Sequence, residues 1–284
     1  MSGCSAKRQH VFVPSLSSSF PRGTILSAAE KAPVSFETMI NDLAEARVVY
    51  IGESHTNPRH HEIQKKILKA LYRRKPGLSV GMEMFSRPYQ DVLGQWRKGM
   101  LDQKTFIENV HWYANWKHDY SLYSGLLDFI KEKNLPLCAL NIPFHIPSKI
   151  AAGGIDSLLP GESGHLPEQI KLDVAAHRQY LKNIFESHHR ARLHYNFKNF
   201  YQAQCVWDEA MAQSVSRCLK DSLMVVFAGK GHIIYGFGIP DRAYRRTGAP
   251  FKTVIPFAAG QSADLSAADY LWVTTGGPAG PSPH

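Results

Sequence analysis

Residues 47–62, Arg-Val-Val-Tyr-Ile-Gly-Glu-Ser-His-Thr-Asn-Pro-Arg-His-His-Glu, read as a short buried strand that stops at Gly52 and opens into a polar turn. Asn57 can cap the helix that follows, and Pro58 stands at its first position, where a missing N–H does no harm. The turn therefore carries Glu53 and His55 at the carboxyl end of a strand, the edge at which open α/β sheets bind ligands. A second stretch repeats the plan: the apolar run Leu223 to Ala228 leads into Gly229-Lys230-Gly231-His232. Two Gly-x-x-His turns, each after a hydrophobic strand, constrain the chain to an α/β fold.

Other segments fit the same scheme. Leu78 to Met82 is a strand ending at Glu83, and Leu135 to Leu140 is a strand ending at Asn141. Between them, Asp119 starts an amphipathic helix with Leu122, Leu126, Leu127 and Ile130 inward. Strand–helix–strand units imply a parallel sheet with right-handed crossovers. The expected fold is a parallel sheet flanked by helices, with a small all-helical subdomain formed by about 87–117 and 155–219. Helices are expected over about 168–190 and 197–219, and final strands at about 252–257 and 270–274. Residues 1–33 read as an extended arm, 34–275 as the α/β domain, and the Gly/Pro-rich 276–284 as a disordered tail.

Composition narrows the function. The net charge of +9 comes from 33 Lys and Arg against 24 Asp and Glu. The basic residues are scattered in twos and threes, such as Arg73-Arg74-Lys75 and Arg245-Arg246, so a nucleic-acid partner is not expected. The four cysteines contain no Cys-x-x-Cys. Cys138, Cys205 and Cys218 fall inside apolar patterns and read as free core residues. Cys4 follows Met1-Ser2-Gly3 and is similar to the lipidated cysteine that ends a bacterial lipoprotein signal, although the hydrophobic region of such a signal does not precede it here.

The strand ends define the candidate chemistry. In a parallel sheet Glu53, His55, Glu83, Asn141 and His232 share one edge. Two imidazoles and two carboxylates suit a divalent metal such as zinc or manganese, or metal-free general acid–base catalysis with Glu53, His55, Glu83 and His232 as catalytic residues. Each could also be a loop residue with a local role. On the 197–219 helix, Gln204 and Asp208 face one way and are candidates to support this site from behind, or to make an intrahelical contact. Zinc-protease, P-loop, dinucleotide and nucleophile-elbow motifs are absent.

Together, the Gly-Glu-Ser-His turn, Gly81-Met82-Glu83, Leu140-Asn141-Ile142-Pro143, the run from Tyr201 to Ala212 and Gly229-Lys230-Gly231-His232 resemble the ChaN-like haem-binding uptake proteins. The likeness runs from about Gly23 to Phe257. That family is grouped with the Tiki, TraB and erythromycin-esterase-like proteins, marked by two Gly-x-x-His motifs and a glutamate pair. The resemblance implies haem at a homodimer interface, with a tyrosine on the iron and a histidine from the partner chain. It also implies a lipid-anchored protein of the bacterial cell envelope, acting in iron uptake alongside an outer-membrane haem receptor. No motif fixes the tyrosine. On the 168–190 helix His177, Tyr180, Leu181 and Ile184 share a face, so Tyr180 and His177 are the haem-binding candidates; His188, His189, His194 and Tyr195 form a second group. The alternative is a metal-dependent hydrolase, of esterase or protease type, using the strand-end Glu/His cluster.

Overall fold

The computed structural model describes residues 9–189 and 196–275. Its centre is an eight-stranded sheet in the order β4-β3-β10-β9-β5-β8-β6-β7. These strands are β3 (Ile25–Ser27), β4 (Ala32–Val34), β5 (Val48–Glu53), β6 (Ser79–Ser86), β7 (Leu137–Asn141), β8 (Met224–Gly229), β9 (Phe251–Ala258) and β10 (Tyr270–Thr274). The pairings from β10 to β7 are parallel. β5, β6, β7 and β8 are buried along their whole length, which is why they read as apolar runs rather than alternations.

The N-terminal arm is more ordered than its composition suggests. β1 (His10–Val13) and β2 (Ser18–Pro21) form a separate hairpin, while β3 and β4 extend the main sheet in antiparallel fashion beyond β10. Strands of three or four residues carry too little periodicity to stand out in a Ser- and Pro-rich segment.

Helices cover both faces. On one side lie α1 (Phe36–Glu45), α2 (Pro58–Arg74), α3 (Gln90–Arg97), α4 (Gln103–Asn109), α5 (Trp112–Asn115) and α6 (Ser121–Glu132). They share a core that includes Ile67, Leu71, Trp96, Phe106, Trp112 and Leu127. Local chemistry starts them: Ser35 Oγ accepts from Thr38 N at 2.9 Å, and, as the sequence suggests, Asn57 Oδ1 accepts from Arg59 N at 3.0 Å.

On the other face lie α10 (Phe197–Cys218) and α11 (Ile239–Thr247), after α7 (His145–Gly153), α8 (Pro160–Ser163) and α9 (Ala175–His189) in the chain. α7 packs on α10 through Ile142, Ile146, Ile150, Val206 and Ala210. The helices before β7 and those after it thus join different core clusters on opposite faces. α9 begins at Ala175, later than the sequence pattern suggests. Residues 168–174 are not helical, because their backbone groups bind side chains: Gln169 O accepts from Arg246 and Lys171 O from Arg242.

One cysteine expectation is corrected. Cys138 on β7 and Cys218 at the end of α10 form a disulfide across a sequence separation of 80 residues, with Cα atoms 6.3 Å apart. Both lie in apolar surroundings, but the packing of α10 against β7 brings the two sulfurs together. Cys205 is free and buried, as expected. Among the described residues, no helix is long and apolar enough to cross a membrane.

Candidate functional site

The register of the sheet sets the site. β5 and β8 pair in parallel with Glu53 opposite Gly229, so both Gly-x-x-His turns leave the sheet side by side. β6 is the other neighbour of β8 and delivers Glu83, and β7 delivers Asn141. Glu53, Glu83, Asn141 and His232 are all buried, whereas the His55 side chain is 28% exposed.

Glu53 is held from four directions. Its Oε1 accepts from His55 Nδ1 at 2.8 Å and from the Tyr123 hydroxyl at 2.7 Å. Its Oε2 accepts from Gln64 Nε2 at 2.8 Å and faces His61 Nδ1 at 3.2 Å. Burial raises the Glu53 carboxyl, but the His61 and His55 imidazoles outweigh it and hold the group well below the usual carboxylate range. The same pairing works in reverse on the imidazoles: burial pulls His55 and His61 down, yet Glu53 raises both above the ordinary histidine value. His61 Nε2 also lies 2.9 Å from the His55 carbonyl oxygen and fixes the turn.

The second imidazole is braced in the same manner. Asp208 Oδ1 on α10 accepts from His232 Nδ1 at 2.6 Å, and His232 Nε2 lies 3.4 Å from Glu83 Oε1. Burial opposes the charged ring, but Glu83 and Asp208 push its pKa up to about 9. Glu83 Oε2 in turn accepts from the Gly229 N–H at 2.6 Å. A Cβ at Gly229 would stand 3.1 Å from His55 Nε2 and 3.5 Å from Glu83 Oε2. His55 and Glu83 therefore meet over this glycine, and the run reads Glu53–His55, Glu83, His232–Asp208.

Aromatic side chains wall the mouth. The His55 ring meets Trp116 at 4.7 Å and His118 at 5.0 Å, and the His232 ring meets Trp207 at 5.3 Å. Asn141 Oδ1 accepts from Trp207 Nε1 at 2.7 Å, and Asn141 Nδ2 donates to the Glu83 carbonyl at 3.0 Å, so Asn141 positions its neighbours.

The structure thus brings together Glu53, His55, Glu83 and His232, with Asn141 and Asp208 directly behind them. Gln204 is half-buried and takes no part in this hydrogen-bonded network. Sequence reasoning missed Tyr123, His61 and Gln64. Their signal was present in retrospect: His61 and Gln64 occupy the inward positions of α2, in step with Ile67, Leu68 and Leu71. Polar residues on an apolar stripe need partners, and Glu53 is that partner.

The expectation of zinc or manganese is not supported. Among the described residues, no group of three or more His, Cys, Asp or Glu is arranged to hold a metal ion. The physical reason is that the carboxylate oxygens are turned onto N–H and O–H donors and the imidazoles onto carboxylates.

The haem candidates lie on α9, to one side. His177 is 1% exposed, with Nε2 3.8 Å from Asp208 Oδ2 and Nδ1 3.4 Å from Arg242 Nη2. Burial and the Arg242 charge lower its pKa in spite of Asp208. Tyr180, one turn on, is half-buried beside Tyr235 at 5.6 Å and Phe237 at 6.2 Å. Burial, then the neighbouring Tyr235, pushes its phenol up to about 12. Tyr235 has a left-handed φ of 57° and lines a cleft of about 520 Å³ with Pro14, Ile234, Phe257 and Asp264. Cys4, His194 and Tyr195 lie outside the described residues, as do the side chains of His188 and His189.

The chain was compared with known proteins. The profile of a family described as haem-binding uptake, Tiki superfamily, ChaN matches residues 39–243. Among solved structures, ChaN of Campylobacter jejuni, described with cofacial haem binding, aligns with a TM-score of 0.72 at 19% identity, covering 87% of this chain and 95% of that one. At that identity the likeness is one of fold. More distant are a mutant erythromycin esterase in its open conformation, with a TM-score of 0.48 at 13% identity over 83% of this chain and 76% of that one, and a Bacillus cereus protein, with 0.45 at 12% over 78% and 68%. No curated protein matches the chain in sequence.

Proposed function

This chain belongs to the haem-binding uptake family of the Tiki superfamily that includes ChaN, and on that premise we propose that it binds haem in bacterial iron uptake. The observation that carries the reading is the family match over residues 39–243, which takes in both Gly-x-x-His turns and the helix of Tyr180. A porphyrin needs an apolar, aromatic surface with one or two placed polar groups, and a phenolate is an established ligand type for ferric haem. The surface formed by Tyr180, Tyr235 and Phe237, beside a cleft walled by Pro14, Ile234 and Phe257, has that chemistry. Tyr180 is the proposed iron ligand, and Tyr235 offers a second phenol on the same surface. Bound there, haem would supply a ferric centre. His177, one turn before Tyr180, is buried against Asp208 and Arg242.

The proposal extends to a homodimer that encloses the haem, to lipidation at Cys4, and to a place in the cell envelope near an outer-membrane haem receptor. The Cys138–Cys218 disulfide supports the envelope, since such bonds persist in oxidising compartments. The test is titration of the purified protein with ferric haem, followed by absorption spectroscopy and light scattering. Saturable binding with a tyrosinate-type spectrum, lost in Tyr180→Phe, is expected. A spectrum lost only in Tyr235→Phe would move the ligand to the turn that follows β8; no saturable binding would remove the function.

The braced imidazoles favour a second, compatible reading as a hydrolase. His55 and His232 each have Nδ1 pinned by a carboxylate and Nε2 directed toward the Glu83 side of Gly229. An imidazole held in this way can take a proton from water or give one to a leaving group. Hydrolysis of an ester panel, abolished in both His55→Ala and His232→Ala, would support it; equal rates in the variants would dismiss it.

A further inference from the structure

Glu209 is the centre of a second buried charge cluster, away from the strand ends. Its Oε1 accepts from the Arg242 guanidinium, from Arg245 Nη2 at 2.6 Å and from the Lys171 N–H at 3.1 Å; its Oε2 accepts from Arg246 Nη2 at 2.5 Å. Three guanidiniums thus converge on one buried carboxylate. The field of Asp208 reaches Arg242 and that of Glu168 reaches Arg246, while Glu168 is itself exposed and also faces Arg217 at 4.0 Å. Donors are in excess: among the described residues, Nε of Arg242 and Nε of Arg246 are buried without a hydrogen-bond partner. Buried cationic groups short of acceptors are costly, and an anion bound nearby offsets part of their charge.

A cleft adjoins the cluster on the side of Arg245. The arginines hold the segment 169–171 by its carbonyls, and residues 169–173 with Arg245 line a hollow of about 580 Å³. The Arg245 side chain is 34% exposed and that of Lys171 is 47% exposed. Arg245 has five N–H donors, and among the described residues its hydrogen bond is from Nη2 to Glu209. Asp173 lies 3.9 Å from Lys171 Nζ and offsets one cation, while Ile170 and Leu172 add apolar wall.

We propose that this cleft is an oxyanion site that takes a phosphate or a phosphate monoester, with Arg245 and Lys171 as its donors. The forked guanidinium matches two phosphate oxygens at once, and Lys171 adds a point charge. Ile170 and Leu172 lie where the organic part of a monoester would rest. The site is independent of the haem reading.

The test is calorimetric titration of the full chain, at constant ionic strength, with inorganic phosphate and with phenyl phosphate. Saturable one-to-one binding is expected, weakened about tenfold or more in Arg245→Ala and in Lys171→Ala and strengthened in Asp173→Asn. Circular dichroism melts of the variants check that the fold is kept, as the exposure of both side chains leads one to expect. Tighter binding of phenyl phosphate identifies a monoester and equal binding identifies free phosphate. Absence of saturable binding of either probe, or wild-type affinity in Arg245→Ala, overturns the proposal.

Discussion

Asp208 Oδ1 stands 2.6 Å from His232 Nδ1, so a helix on one face of the sheet fixes the imidazole that ends β8. The folded pKa of His232, about 9, lies above its unfolded value of about 6.5. The pair therefore contributes stability that is fully present below about pH 6.5 and is lost as pH rises through about 9. Asp208→Asn should lower the His232 pKa and flatten this alkaline loss. Removing one partner of a buried pair should also destabilise the fold by roughly 3–5 kcal/mol. NMR titration of the His232 ring and urea unfolding across this pH range measure the two effects.

Tyr123 donates its hydroxyl to Glu53 Oε1 from α6. Tyr123→Phe removes a hydrogen bond to a buried carboxylate while leaving the ring in the core, and should cost roughly 1.5–3 kcal/mol. The loss is readable as a lower urea midpoint with an unchanged slope. Glu53, with one donor fewer, should then titrate at a higher pH than in the wild type.

Gly229 is a close approach that only glycine allows. A Cβ there would meet His55 Cε1 at 2.8 Å, so Gly229→Ala must displace the His55 ring from Glu83. The ring is partly exposed and can yield, so the fold should survive at a cost of about 1–3 kcal/mol. The His55 NMR resonances should shift strongly while those of His60 stay in place. At Gly238 the corresponding Cβ would collide with the carbonyl of His232, which is backbone and cannot yield, so Gly238→Ala should fail to fold.

The Cys138–Cys218 bridge closes a loop of 80 residues. In chain-entropy terms a loop of that size stabilises by about 4.5 kcal/mol, which reduction or a Cys138→Ser, Cys218→Ser pair should remove. Urea unfolding with and without reductant gives the difference. Thiol titration in denaturant should gain two thiols on reduction, those of Cys138 and Cys218.

Much of the strand-end site was legible because strand direction does the work. In a parallel sheet an apolar run followed by Gly and a polar turn places that turn on one edge, whatever the distance along the chain. Glu53, Glu83, Asn141 and His232 follow from that rule alone. Asp208 was a candidate from its helix face, but the braces of Glu53 were not, because Tyr123 and His61 approach from helices whose rotation against the sheet is set by packing. The disulfide was hidden for the same reason: two cysteines in apolar stretches look like core until α10 is laid against β7. The start of α9 was misplaced because helical periodicity in 168–174 is overruled by side chains of α10 and α11 that bind its backbone.

β5 is flanked by β8 and β9, both drawn from beyond Leu223. A chain emerging from the ribosome therefore carries Val48–Glu53 with two bare edges until its last strands arrive. Such a segment invites wrong pairing while it waits. Any version of this protein cut short ahead of Met224 loses the partners of its middle strand, and should be met in the cell as aggregate or as a client of chaperones.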